Sequence, residues 1–92
     1  MIKSFKSKIP AKLYETEKSA KIDKRLVSRI CIRLDRLNVA EKAEEMNLPG
    51  FDFRALNGFK STRYTVHVNG PWCLTFEFSR GDVYRVDLEQ YH

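Results

Sequence analysis

The run Arg63-Tyr64-Thr65-Val66-His67-Val68-Asn69-Gly70-Pro71-Trp72-Cys73-Leu74-Thr75-Phe76-Glu77-Phe78 decides the fold. Side chains along a strand alternate between two faces. The first half puts Tyr64, Val66 and Val68 on one face and Arg63, Thr65 and His67 on the other. The second half puts Trp72, Leu74, Phe76 and Phe78 inward and Cys73, Thr75 and Glu77 outward. Asn69-Gly70 between them is a strong hairpin signal, and Pro71 predicts a loop slightly longer than two residues. One face of the resulting sheet is apolar and must be covered.

Reading onward, Arg80-Gly81-Asp82 makes the next turn, after which Tyr84, Val86 and Leu88 should face inward and Arg85 and Asp87 outward. Reading backward, Asn57-Gly58 marks a turn, and Phe51, Phe53 and Leu56 begin the sheet. Before Gly50 the period becomes helical. Apolar residues at 22, 26, 27, 30, 34 and 37 form one helical face over Ile22–Leu37. Opposite them Arg25, Arg29, Arg33 and Arg36 advance by four, four and three, which predicts a cationic stripe. Pro10 suits a first helical turn, so Ala11–Glu17 reads as a short helix. Another short helix around residues 40–46 stops before Pro49-Gly50, and Ile2–Phe5 reads as a short edge strand. The prediction is a single α+β domain over residues 1–92, with two N-terminal helices packed on one face of a small antiparallel sheet.

Composition narrows the function. Residues 1–36 carry eleven Lys/Arg against four acids, whereas residues 37–92 carry six against eight, within a net charge of +5. That asymmetry points to an anionic partner, either nucleic acid or an acidic protein, for the N-terminal half; a merely solvated helix face is the plainer alternative. No run approaches the roughly 20 apolar residues of a membrane helix, and the first residues lack a signal-peptide core. The expectation is a cytoplasmic protein with no membrane association. Cys31 and Cys73 fall in a helix and a strand, so reduced thiols are expected. No zinc-type Cys/His spacing, Gly-rich phosphate loop or aromatic RNA-recognition motif occurs.

Four stretches carry a family resemblance: Met1-Ile2-Lys3-Ser4-Phe5-Lys6, Leu56-Asn57-Gly58, the block from Val66 to Phe76, and Glu89-Gln90-Tyr91-His92. Together they resemble the HigB toxins, the plasmid-maintenance or killer-protein branch of the RelE superfamily in type II toxin-antitoxin systems. The resemblance implies a RelE-like fold and an endoribonuclease that cuts mRNA on the ribosome, inhibiting translation without a metal or other cofactor. It also implies a HigA-type helix-turn-helix antitoxin as partner, with operator DNA bound only through the toxin-antitoxin complex. This chain departs from the commoner family pattern. His67 and Cys73 stand where arginine is common, and Gln90 where an acid is common. Those departures frame an alternative: a catalytically weakened or inactive homologue serving as an antitoxin-binding, operator-regulating module.

Metal-free RNA cleavage needs a base for the 2′-hydroxyl, cations for the phosphorane charge and an acid for the departing 5′-oxygen. Imidazole suits either proton transfer. His92 is the expected general acid, its imidazolium favoured by its own α-carboxylate. Tyr91 is expected to stack on a base or hydrogen-bond a phosphate. Arg63 completes the expected catalytic group together with His67, which is either a second proton-transfer residue or a cross-strand neighbour of Thr75 without chemistry. Arg54, Lys60, Arg85, Gln90, Arg29 and Arg33 are the expected RNA and phosphate contacts, since guanidinium offers paired donors to phosphate oxygens. Each of these arginines has a plain reading as a solvated charge. Trp72, in phase with Leu74 and Phe76, reads as core rather than as a base-stacking residue. A His67–Cys73 nucleophile pair has nothing to orient it.

Overall fold

The computed structural model describes residues 1–16, 22–56 and 62–90. Helices α1 (Lys8–Thr16) and α2 (Lys24–Val39) are followed by a 3₁₀ turn (Ala43–Met46) and four strands. These are β1 (Arg54–Leu56), β2 (Arg63–Asn69), β3 (Trp72–Ser79) and β4 (Asp82–Gln90), antiparallel throughout in the order β1-β2-β3-β4. The α+β class read from periodicity is therefore the class observed. The Asn57-Gly58 turn lies outside the described residues.

Local chemistry sets the element ends. The Asp23 carboxylate accepts the Arg25 amide at 2.7 Å, capping α2 two residues later than its apolar face suggested. Helix α1 starts at Lys8, which leaves Pro10 within its first turn. Over residues 40–46 only a 3₁₀ turn forms, because the Glu45 carboxylate takes the amides of Glu41 and Lys42, both at 2.7 Å.

Leu13 of α1 and Leu26, Ile30, Leu34 and Leu37 of α2 are buried against Val66, Val68, Leu74, Phe76, Val83 and Val86 of the sheet. Each such side chain contributes about 1.5–3 kcal/mol on burial. Phe53, Tyr64 and Phe76 stack in sequence at 5.6 and 5.8 Å between centroids, extending the apolar face to β1. Trp72 packs partly buried against this core, in the phase expected.

The predicted edge strand is present as an extended segment beside β4. Ile2 and Phe5 bridge Val83 and Val86 in parallel, with Lys3 N–H on Val83 O at 2.7 Å and Lys6 N–H on Val86 O at 2.8 Å. One edge of the sheet is thereby covered.

Three sequence expectations are corrected. The β2–β3 connection is a two-residue loop, since Asn69 pairs with Trp72. Gly70 adopts φ 57 and so turns the chain directly ahead of Pro71. In β4, pairing jumps from Thr75↔Asp87 to Glu77↔Tyr84, so one residue of β3 faces two of β4. Arg85, at φ 54, sits in this bulge, and the phase before it inverts: Val83 enters the core and Tyr84 faces outward beside Glu77.

The third correction concerns Arg33. Arg25, Arg29 and Arg36 are exposed, but Arg33 is only 5% exposed and turns into the protein. Its Nε donates to His67 O at 2.7 Å, Nη1 to Arg29 O at 3.0 Å and Nη2 to Gly50 O at 3.4 Å, while its guanidinium lies 4.3 Å from the centre of the Phe51 ring. Burial first, and then the nearby Arg29 cation, lower its pKa from the ordinary value. Arg33 is thus a structural clamp, not part of a solvent-facing stripe. Replacing Arg33 with Ala should destabilise the fold by about 3 kcal/mol, because three carbonyl contacts and a cation–π contact are lost together. Urea denaturation measures this, and a loss below about 1 kcal/mol would refute the clamp.

Candidate active site

The sheet face away from the helices carries the polar residues. By register, Arg54 of β1 lies across from Thr65, which lies across from Thr75 and then Asp87. One row along, His67 is across from Cys73 and then Glu89; in the other direction, Arg63 is across from Glu77 and then Tyr84.

The floor of this face is closed, contrary to the open surface that alternation suggests. Thr65, Thr75 and Cys73 are all buried. Thr75 lies under a network. Arg63 Nη2 donates to Thr75 Oγ1 at 3.0 Å and approaches Glu89 Oε2 at 3.3 Å, while the Thr75 hydroxyl donates to the same Glu89 oxygen. The Arg63 side chain runs diagonally from its own row to reach Glu89, which brings its cation over the middle of the face. It is 15% exposed there. Thr65 Oγ1, beside this network, is buried with no hydrogen-bond partner among the described residues.

His67 begins four residues along β2 from Arg63, about 13 Å at strand rise. Its Nε2 is 3.1 Å from Gly70 O, so that nitrogen carries the proton and donates to the carbonyl. The hairpin thus holds the imidazole near its own turn. Arg54 is exposed at the β1 edge with Asp52 as ion partner at 3.3 Å, and Arg85 is exposed at the bulge with Glu77 as partner at 3.1 Å. Both are solvent-screened pairs whose guanidinium groups can exchange partners at little cost.

Three expected contacts point elsewhere. Gln90 is in register with Trp72, so its side chain leaves on the helix side of the sheet, and Glu89 takes the outward place. Arg29 sits on exposed α2, behind the sheet, and is not brought near Arg63. Arg33 is buried as described. Lys60, Tyr91 and His92 lie outside the described residues.

Sequence reasoning overlooked Glu89 and gave Thr75 no role. The signal for Glu89 was available, because Asp87 outward and Leu88 inward imply Glu89 outward. Nothing in the sequence announces that Arg63 reaches diagonally to it. Among the described residues no three His, Cys, Asp or Glu side chains cluster in a way that could hold a metal ion.

Comparison with known proteins adds a family to this geometry. A model of the HigB RelE-like toxins of type II toxin-antitoxin systems matches residues 3–92. The sequence is also 33% identical to Endoribonuclease HigB of Proteus vulgaris over 92 residues, the whole of both chains. The chain belongs to the HigB-like toxin family. Its helices on a four-stranded antiparallel sheet accord with the RelE-like fold that the resemblance implied. Membership in a type II system also implies an antitoxin partner.

In this HigB-like toxin Thr75 is the hinge of the polar network. Changing Thr75 to Val removes the hydroxyl at nearly constant shape and should cost about 1 kcal/mol. A double-mutant cycle with Glu89→Ala should show coupling of about 0.5 kcal/mol or more by denaturation. Simple additivity would mean that the Thr75–Glu89 contact does not hold in solution.

Proposed function

We propose that this chain is an endoribonuclease toxin that cuts mRNA on the ribosome and so inhibits translation in the cytoplasm. A HigA-type helix-turn-helix antitoxin restrains it, and operator DNA is contacted only through that complex. The observation that carries this reading is full-length similarity to Endoribonuclease HigB, joined to an outward sheet face with an arginine poised over a buried polar floor.

The chemistry is metal-free acid–base cleavage. The 2′-oxygen attacks the adjacent phosphorus, and Arg63 offsets the charge that builds on the phosphorane oxygens. His92 protonates the departing 5′-oxygen, while Tyr91 stacks on a base or hydrogen-bonds a phosphate. Arg54, Lys60 and Arg85 hold flanking phosphates, the first and last by leaving their carboxylate partners. His67 donates through Nε2–H, and at its place by the hairpin it serves RNA as a hydrogen-bond donor or second proton-transfer group. Arg29, exposed on α2, is left for long-range attraction to ribosomal RNA.

The second reading, a weakened or inactive homologue acting through its antitoxin, draws support from Cys73. It is a buried neutral residue in the site floor where the commoner family pattern has arginine. Expression in bacteria without antitoxin separates the two. The toxin reading expects growth arrest with ribosome-dependent mRNA cuts, relieved by co-expressed antitoxin; normal growth with intact mRNA would leave only the second reading. Deleting His92 should lower cleavage by about 100-fold or more while the melting temperature and antitoxin binding stay unchanged. Near-normal cutting by that variant would refute His92 as the acid.

A further inference from the structure

We propose that Glu89 is the general base of the cleavage reaction, taking the proton from the attacking 2′-hydroxyl. The assignment rests on the endoribonuclease reading above and supplies the base which that reading leaves open.

Four carboxylates stand on the outward face of β3 and β4, namely Glu77, Asp82, Asp87 and Glu89, and Asp82 is paired with the Met1 amino group at 3.5 Å. Glu77 is 19% exposed and engaged by Arg85 at 3.1 Å. Asp87 Oδ1 receives the Ser7 hydroxyl at 2.6 Å and the Leu88 amide at 2.9 Å, which fixes it to the backbone. Glu89 differs from all three. Its Oε2 takes both donors, Thr75 Oγ1 and Arg63 Nη2, and among the described residues nothing bonds to Oε1. The side chain is 39% exposed, so Oε1 is open to a substrate hydroxyl.

The geometry also argues against a purely structural ion pair. Guanidinium and carboxylate pair most strongly through two parallel hydrogen bonds. Here one guanidinium nitrogen meets one carboxylate oxygen at 3.3 Å, and the closer contact belongs to the buried threonine hydroxyl. That arrangement orients the carboxylate from below and keeps half of it unused, as a base requires. It also sets the cation that would meet phosphorane charge directly beside the proton acceptor. His67 is less well placed to compete, since its ring is held at the hairpin turn, about 13 Å along β2 from Arg63 at strand rise.

The step balances as follows. The 2′-oxygen forms its bond to phosphorus as its proton passes to Glu89 Oε1. The bond from phosphorus to the 5′-oxygen breaks, that oxygen leaves with the proton from His92, and a 2′,3′-cyclic phosphate remains. In the reverse sense, water attacks the cyclic ester and gives a proton to His92, while Glu89 Oε1 returns its proton to the departing 2′-oxygen, which leaves a 3′-phosphate.

Glu89→Gln tests the assignment, because an amide keeps an oxygen for Thr75 and Arg63 but takes no proton. Single-turnover cutting of ribosome-bound mRNA should fall about 100-fold or more, with ribosome affinity and melting temperature unchanged and a partial return in Glu89→Asp. A second substrate carries sulfur in place of the bridging 5′-oxygen at the cut site, a leaving group that needs no proton. On it the His92-deleted chain should recover and Glu89→Gln should not. Recovery of Glu89→Gln on that substrate would make Glu89 an acid and overturn the assignment. So would cutting of ordinary mRNA by Glu89→Gln within about threefold of the unaltered chain. If the unaltered chain itself leaves ribosome-bound mRNA intact, the endoribonuclease reading falls and this inference with it; if it cuts and Glu89→Gln cuts equally, only the base is wrong.

Discussion

A charged guanidinium inside a small protein must find replacements for the water it has lost, and the way Arg33 finds them organises the molecule. Among the described residues no carboxylate neutralises it. Instead it gathers carbonyl oxygens from α2, from Gly50 and from His67, and lies over the Phe51 ring. These groups belong to three separate stretches of chain, so satisfying one cation fixes the helix, the turn that enters the sheet and the strand bearing His67 relative to one another. The His67 amide, bonded in turn to Phe51 O, closes the same loop of interactions from the other side. Helix packing and the lay of the outward face are therefore one problem with one solution.

The bulge in β4 has a comparable reach. Without Arg85 as an extra residue, alternation counted back from Leu88 and Val86 would put Tyr84 in the core, and the outward row would change in identity along half of the strand. With it, Val83 and Val86 both face inward, Arg85 stands out beside Glu77, and Asp87 and Glu89 fall on the outward face. The local cost is a non-glycine residue at positive φ, on the order of 1 kcal/mol. The Arg85 amide bonded to Ser4 Oγ at 2.9 Å ties that conformation to the N-terminal segment.

Strands β2 and β3 were legible residue by residue, because strict alternation and a glycine turn leave little freedom. The apolar face of α2 was equally plain. What periodicity could not show was where a long side chain ends. The four-residue spacing of Arg29 and Arg33 is the same whether both face solvent or one dives inward; carbonyls from distant residues decided it. A bulge likewise leaves no mark in an alternating pattern whose inward positions, Tyr84 and Val86, are all apolar enough to be buried. The site was half legible for the same reason. Arg63 could be placed on the outward face from sequence, but its union with Thr75 and Glu89 depends on a diagonal crossing of three strands. Gln90 was misplaced because strand phase was not followed past Leu88 to the end of β4.

The segment beside β4 has a bearing on how the chain comes into being. Residues 1–6 are synthesised well before residues 82–90, yet their hydrogen-bonding partners are Val83 and Val86, and the Met1 amino group lies 3.5 Å from Asp82. Until residues 82–90 have been synthesised, those amides and carbonyls have no strand to pair with, and the inner valines of β4 are missing from the core. Local helices can form early, but the sheet on which Arg63, Thr75 and Glu89 meet is assembled only once residues 82–90 have been made. An outward face that waits for β4 keeps the early nascent chain from displaying Arg63, Thr75 and Glu89 together, with no additional component.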